Sequence, residues 1–84
     1  MDKQKTTVRV AGKDYTLVSS DPPAYMHRIA AYADRKISET AMAAHLPVPS
    51  ATVLAMINLT DELMKAQDEN MRLRRELAEL REGC

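Results

Sequence analysis

The chain has 84 residues, and its 12 basic side chains balance its 12 acidic ones. A monomer of this size leaves much of its apolar surface in water unless a metal, disulfides or another subunit supplements the core. The single cysteine, Cys84, and the widely separated His27 and His45 argue against a disulfide framework and against a metal site, so no cofactor is expected. The neutral net charge gives no reason to expect a nucleic-acid partner.

The N-terminus lacks the apolar stretch of a signal peptide, and no apolar run approaches the roughly 18 residues of a membrane span. We therefore expect a cytoplasmic protein that does not insert into a membrane. In that compartment Cys84 is expected to be a free thiol, although a parallel dimer would bring two copies together and leave an intermolecular disulfide open.

The first predicted element is a β-hairpin. Residues 6–10 alternate apolar and polar side chains, residues 15–18 repeat that character, and both segments are typical of half-buried strands. The intervening Ala11-Gly12-Lys13-Asp14 predicts a type II′ turn with Gly12 at its first central position. Two strands are marginal in water, so their apolar face needs a cover.

The expected cover is a helix that Asp21 caps and in which Pro22 occupies the first turn. Its apolar positions recur at helical spacing, and they are Met26, Ile29, Ala30, Ala33, Ile37 and Ala41. The prolines at positions 47 and 49 must end this helix. Ser50 or Thr52 is then expected to cap a second one.

Residues 50–82 contain no glycine or proline and are rich in good helix formers. A helix of that length spans about 50 Å, which is longer than a hairpin and one helix can cover. The sequence therefore predicts an α+β fold with two parts: a hairpin-and-helix head at residues 1–49, and a long C-terminal coiled-coil helix at residues 50–84.

The long helix carries an unbroken heptad repeat. Its a and d positions alternate by three and four residues, and they are Met56, Leu59, Leu63, Ala66, Asn70, Leu73, Leu77 and Leu80. An amphipathic helix packed on its own domain seldom holds this 3.5-residue period for so long, so we expect a coiled coil between copies of the chain.

The flanking charges favour a parallel pair. In that orientation each g residue faces the e residue five positions later on the second copy, which pairs Glu69 with Arg74 and Glu76 with Arg81. An antiparallel pair on the same seam would place like charges together. Asn70, alone at an a position, favours two strands in register because its amide is satisfied only when the two copies align.

No catalytic motif is present, and we expect no enzyme activity. Basic side chains on the head helix and hairpin form one candidate binding cluster, comprising Arg9, Lys13, Arg28, Arg35 and Lys36. They would suit an acidic protein surface, but an ordinary solvated face is at least as consistent with the pattern.

Three segments, in this order, resemble the ZapA family of bacterial division proteins, which associate with the tubulin-like GTPase FtsZ. The first is the hairpin VRVAGKDYTL at residues 8–17, and the second is the small-residue helix at residues 25–37. The third, VLAMINLTDEL at residues 53–63, is similar to the family's Ala-Leu-Asn-(apolar)-x-(Asp or Tyr)-Glu-Leu signature. The chain's length resembles the shorter, Gram-positive type.

The resemblance implies a cytoplasmic homodimer at the division site, which joins a second dimer through the coiled coil to give a tetramer. Its heads would bind FtsZ filaments through the basic cluster, and it would cross-link or bundle them to promote Z-ring assembly and septum formation. Two other functions stay open: a generic coiled-coil dimerisation adaptor and, against the neutral charge, a small DNA-binding dimer.

Overall fold

The computed structural model describes residues 2–83, so Cys84 and the disulfide considered for it lie outside the described residues. Two antiparallel strands, β1 (Gln4–Val10) and β2 (Lys13–Ser19), precede two helices, α1 (Pro23–Ala44) and α2 (Val48–Glu82). The predicted α+β fold, a hairpin followed by a helix and a much longer helix, is confirmed.

The hairpin turn differs from the predicted type. Val10 pairs with Lys13, so Ala11 and Gly12 form the two-residue connection, with φ angles of 55° and 80°. Positive φ at both central residues defines a type I′ turn, and the predicted type II′ turn is wrong. The register error arose because polar Lys13 and Asp14 were not recognised as strand residues, although Asp14 pairs with Arg9 across the hairpin.

The hairpin is attached to α1 through one of its strands. Thr6 and Val8 of β1 are buried, and β1 packs on α1, whereas within residues 2–83 no Cα atom of β2 lies within 8 Å of a helix Cα atom. At the turn, the Ala11 N–H donates to Asp34 Oδ1 on α1 at 2.8 Å. Apolar packing at mid-strand and this hydrogen bond at the turn together hold the hairpin on the helix.

The start of α1 does not use the predicted cap. Pro23 is the first helical residue, Pro22 is the N-cap, and no side chain caps the helix. The Asp21 carboxylate instead accepts a hydrogen bond from Ser19 Oγ at 3.1 Å. The fixed φ of proline, already suited to a first turn, replaces a capping side chain here.

The connection between the helices is short and sharply bent. His45 has a left-handed φ of 54° and donates its N–H to the Ala41 carbonyl, which ends α1, and the chain then bends by 111° into α2. Helix α2 begins at Val48 with Pro47 as N-cap, so the predicted cap at Ser50 or Thr52 is wrong. The division of the chain at 49/50 stays a prediction.

The buried apolar core of the described chain is small, and its members are Val8, Met26, Ala30, Ile37, Ala51 and Ala55. Ala51 and Ala55, near the start of α2, are the least exposed and allow α1 and α2 to approach closely. Ile29 was expected on the core face of α1 but is 42% exposed. The molecule measures 54 × 40 × 14 Å, so most of α2 lies beyond this core.

Candidate self-association and partner-binding surfaces

The predicted a/d positions form an exposed apolar seam along α2. Leu59 is half-buried near the head, and the larger apolar members beyond it are between 50% and 68% exposed, namely Leu63, Leu73, Leu77 and Leu80. Soluble monomers rarely leave so long an apolar row in water. The protomer therefore presents a surface suited to another helix.

The end of the seam nearest the head opens into a groove between α1 and α2. Its volume is about 280 Å³, and its lining is almost entirely apolar: Ala33, Ile37, Thr52, Ala55, Met56, Leu59, Thr60 and Leu63. Because seam residues Met56, Leu59 and Leu63 form one wall, a helix that packs along the seam also enters this groove. Seam and head are thus one continuous apolar surface.

The charged residues beside the seam are organised by a side chain that sequence analysis did not select. Arg72, at a c position, pairs with Glu69 and also reaches Glu76 at 2.7 Å. Glu69 and Glu76 are the two g-position acids predicted to face arginines on a second copy. Within residues 2–83, Arg74 and Arg81 form no ion pair, so both arginines remain accessible to another chain.

These contacts shift ionisation equilibria. The hydrogen bond from Arg72 lowers the pKa of Glu69, and the same contact raises the pKa of Arg72. Both groups are exposed, so water screens the interaction. The helical spacings of three and four residues between Arg72 and the two glutamates were the sequence signal that could have identified this network.

A second row of exposed apolar side chains runs beside the seam. Val53, Ile57, Met64 and Met71 are 56% to 61% exposed, and we call them the lateral stripe. Ile57, Met64 and Met71 each follow an a position by one residue, which places the stripe roughly 100° around the helix from the a positions. The seven-residue spacing of Ile57, Met64 and Met71 was visible in the sequence.

The residues of the basic cluster do not lie together as one group. Arg9 pairs with Asp14 at 3.2 Å on the hairpin, and Lys36 pairs with Glu62 of α2 at 2.7 Å. Thr6 and Val8 are buried against α1, so the alternation of the strand places Arg9 on the opposite face of the hairpin. The five predicted residues therefore lie on more than one surface of the protomer.

Arg28 and Arg35 lie together on the exposed side of α1, each beside a tyrosine. The guanidinium carbon of Arg28 is 5.6 Å from the ring centre of Tyr25, and that of Arg35 is 5.4 Å from the ring centre of Tyr32. Arg35 also contacts Glu39 at 3.5 Å. Stacking on an aromatic face keeps a guanidinium extended while its N–H groups remain exposed.

No group of three or more His, Cys, Asp or Glu side chains in residues 2–83 is placed to hold a metal ion. Over the same residues, no single helix is long and apolar enough to cross a membrane. Helices α1 and α2 reach that length and apolar content only when they are taken together, and they are bent by 111° relative to each other.

Comparison with known proteins gives a consistent result. The family model described as "Cell division protein ZapA" matches residues 6–83. The cell division protein ZapA of Geobacillus kaustophilus is 35% identical over 82 residues, which are 96% of this chain and 90% of that protein. The Bacillus subtilis ZapA is 31% identical over 78 residues, 92% of each chain. The chain belongs to the ZapA family.

A solved structure supports the same assignment at the level of the fold. The protein described as "ZapA mutant dimer from Geobacillus stearothermophilus" has a TM-score of 0.74 and 33% sequence identity, and the match covers 92% of this chain and 91% of that one. The resemblance to the ZapA family stated from the three sequence segments is thereby confirmed. This chain is a member of a family of cell division proteins.

Proposed function

We propose that this protein is a non-enzymatic cell-division regulator that binds FtsZ filaments and cross-links or bundles them, which promotes Z-ring assembly and septum formation. The observation that carries the proposal is the division of α2 between a part that packs on α1 and a longer part with an exposed apolar seam. Such a helix joins copies of the chain and leaves each head free for another partner. Membership of a cell-division family supports the biological setting, at the division site in the cytoplasm.

The first step of the proposed assembly is a parallel homodimer on the a/d seam. Glu69 and Glu76 of one copy then lie near Arg74 and Arg81 of the other, while Arg72 of the same copy stays beside both acids. A carboxylate has enough acceptor sites for two arginines, so the contacts within a protomer do not prevent those across the seam. A solved relative described as a dimer supports self-association.

The second step is an antiparallel pairing of two dimers through the lateral stripe. The f positions beside the stripe are acidic at Asp61 and Asp68 but basic at Arg75, and the acidic Glu82 follows one heptad beyond Arg75. A parallel pairing of stripes would place like charges together, whereas an antiparallel one brings the acidic half of one stripe to the basic half of the other. The resulting tetramer has heads at both ends.

Bivalence explains how such an assembly would bundle filaments. When one head is bound, the stiff helix confines the opposite head near a neighbouring filament and raises its effective concentration there. Two weak contacts then suffice for a stable cross-link. The contacts are proposed to form between the solvent-facing members of the basic cluster and an acidic filament surface, so they weaken as salt increases.

Arg28 and Lys13 are the strongest candidates within that cluster. Within residues 2–83 neither forms an ion pair, whereas Arg9, Arg35 and Lys36 each contact a carboxylate of their own chain. A partner that binds Arg28 or Lys13 therefore displaces no existing charge pair. The others would have to share or exchange theirs.

Co-sedimentation with FtsZ and GTP at low salt tests the proposal. The wild-type protein is expected to pellet with FtsZ and to increase the amount of bundled filament. Arg28→Glu should reduce pelleting strongly, while Lys3→Glu, which makes the same charge change outside every helix and strand, should not. Absence of wild-type pelleting at low salt would refute filament binding, and oligomers that persist without it would indicate a generic adaptor.

A further inference from the structure

The head and α2 are joined by one ion pair. Lys36 Nζ of α1 lies 2.7 Å from Glu62 Oε2 of α2, and within residues 2–83 this is the only ion pair between the two helices. The Lys36 side chain is only 26% exposed, which is far less than the other paired bases of α1 and the hairpin. Its position is therefore set by both helices.

Glu62 differs from the other g-position acids in what it would face across the seam. In the parallel register, Glu69 and Glu76 face arginines of a second copy, but Glu62 faces Gln67, which is neutral. No cation is provided from the second chain at this level. The cation comes instead from Lys36 of the same protomer.

The Lys36–Glu62 pair lies far enough from the buried start of α2 to control the angle between the two helices. Ala51 and Ala55 are the most buried residues of α2, and their small side chains offer little resistance to rotation of α1 about that point. Glu62 lies seven residues farther along α2 than Ala55, a distance of about 10 Å. A second fixed point at this separation defines the direction of α1 relative to α2.

We propose that Lys36 is a positioning residue that fixes the orientation of the head on the long helix through Glu62, rather than a residue that contacts the partner. Tyr25 and Arg28 lie eight to eleven residues from Lys36 on α1, which is roughly 12 to 16 Å along the helix. A rotation of α1 by about 20° would therefore displace that exposed end by several ångström. Loss of the Lys36–Glu62 pair would leave the side chains of the binding surface in place on α1, but the direction of α1 relative to α2 would vary.

The orientation is measured directly by electron paramagnetic resonance between two spin labels in one protomer. The labels are attached to the full-length His27→Cys/Glu79→Cys protein in which Cys84 is replaced by serine, and the labelled protein is diluted with unlabelled chain. His27 and Glu79 are exposed, and no ion pair involves either of them within residues 2–83. Since the distance lies within one chain, the measurement does not depend on FtsZ binding.

The wild-type background should give a single narrow distance distribution. Lys36→Glu or Glu62→Lys should abolish it and give a broad one, and the double charge exchange Lys36→Glu/Glu62→Lys should restore the narrow distribution. Arg35→Glu is the matched control, because it removes a charge pair that lies entirely within α1. Circular dichroism of each variant confirms that helix content is retained.

A separate variant distinguishes positioning from simple stabilisation. Gln67→Arg supplies the missing cation across the seam, so it should strengthen the dimer, while Glu62 can accept from both cations and keeps Lys36, which leaves the distance distribution narrow. An unchanged distribution in both single reversals, or failure of the double exchange to restore it, would overturn the proposal. If the distance distributions change as expected but the protein does not co-sediment with FtsZ, only the proposed function is overturned.

Discussion

The hairpin turn offers a sharp test of how backbone conformation limits the stability of the head. Ala11 has a φ of 55°, in the left-handed region, and it is followed by Gly12 at 80°. A left-handed conformation costs an L-residue such as alanine about 1–2 kcal/mol. Asparagine tolerates that region and is favoured before glycine in type I′ turns, so we expect Ala11→Asn to stabilise the protein by about 0.5–1 kcal/mol.

Gly12→Ala should act in the opposite direction. A Cβ atom at Gly12 would meet nothing within 4 Å, so the substitution introduces no steric clash. Its cost is the left-handed penalty of about 1–2 kcal/mol, reduced by the 0.5–1 kcal/mol that glycine loses in conformational entropy on folding. The net destabilisation should be about 0.5–1 kcal/mol. Both substitutions therefore report the same quantity, which is the cost of a positive φ angle at the two turn residues.

The assay is thermal unfolding followed by circular dichroism at a fixed protomer concentration, since association makes the midpoint concentration-dependent. A change of 1 kcal/mol shifts the midpoint of a domain of this size by about 4–8 °C. Both variants keep the backbone N–H at position 11, which donates to the Asp34 carboxylate. Destabilisation by Ala11→Asn, or no loss in Gly12→Ala, would refute the type I′ assignment and the strain attributed to Ala11.

Three other predictions concern α2. Met64→Lys combined with Met71→Lys should reduce the mass measured by light scattering from tetramer to dimer, because two charges would have to be buried in the lateral stripe. Asn70→Leu should raise the thermal midpoint but broaden the distribution of oligomers, since it removes the amide that the proposed dimer would bury and that selects two aligned strands. Acidification should weaken α2, because the hydrogen bond from Arg72 lowers the pKa of Glu69. The stabilisation by ionised Glu69 is fully present above the ordinary glutamate pKa of about 4.3, and it is lost as the pH falls through the lowered pKa.

The predictions on mass and on pH have matched controls. Met42→Lys changes an exposed methionine on α1 and should leave the mass unchanged. For the pH effect, Arg72→Gln should remove the Glu69 contribution to the acid titration of the circular dichroism signal at 222 nm, while Lys65→Gln should not. A tetrameric Met64→Lys/Met71→Lys protein, or an unaltered acid transition in Arg72→Gln, would contradict the corresponding assignment.

Sequence analysis predicted the features that depend on long, regular patterns. The end of α2 at Glu82 followed from a run of helix formers without glycine or proline, and the exposed seam lies where the heptad placed its large apolar residues. The errors were local. At Asp21 the sequence indicated a side-chain cap, but neighbouring prolines had already fixed the backbone for a helix start and the carboxylate bonded to Ser19 instead.

The contacts that sequence analysis missed depend on the angle between elements. The pairing of Lys36 with Glu62 exists only because a 111° bend returns α2 across α1, and no spacing along the chain signals it. The partners of Arg72 lie within one helix and were predictable from their spacing, but the strong a/d pattern directed attention to the seam. The lateral stripe was overlooked for the same reason.

The division of α2 also has a consequence for how the protein can change in length. The head contacts only the first part of the helix, so whole heptads can be added to or removed from the remainder without altering any contact of the head. Each heptad changes the separation of the heads by about 10.5 Å and preserves the facing of the seam, whereas an insertion of three or four residues would disturb the supercoil. In the proposed assembly, the spacing between bridged partners is therefore adjustable only in steps, independently of the surface that would bind them.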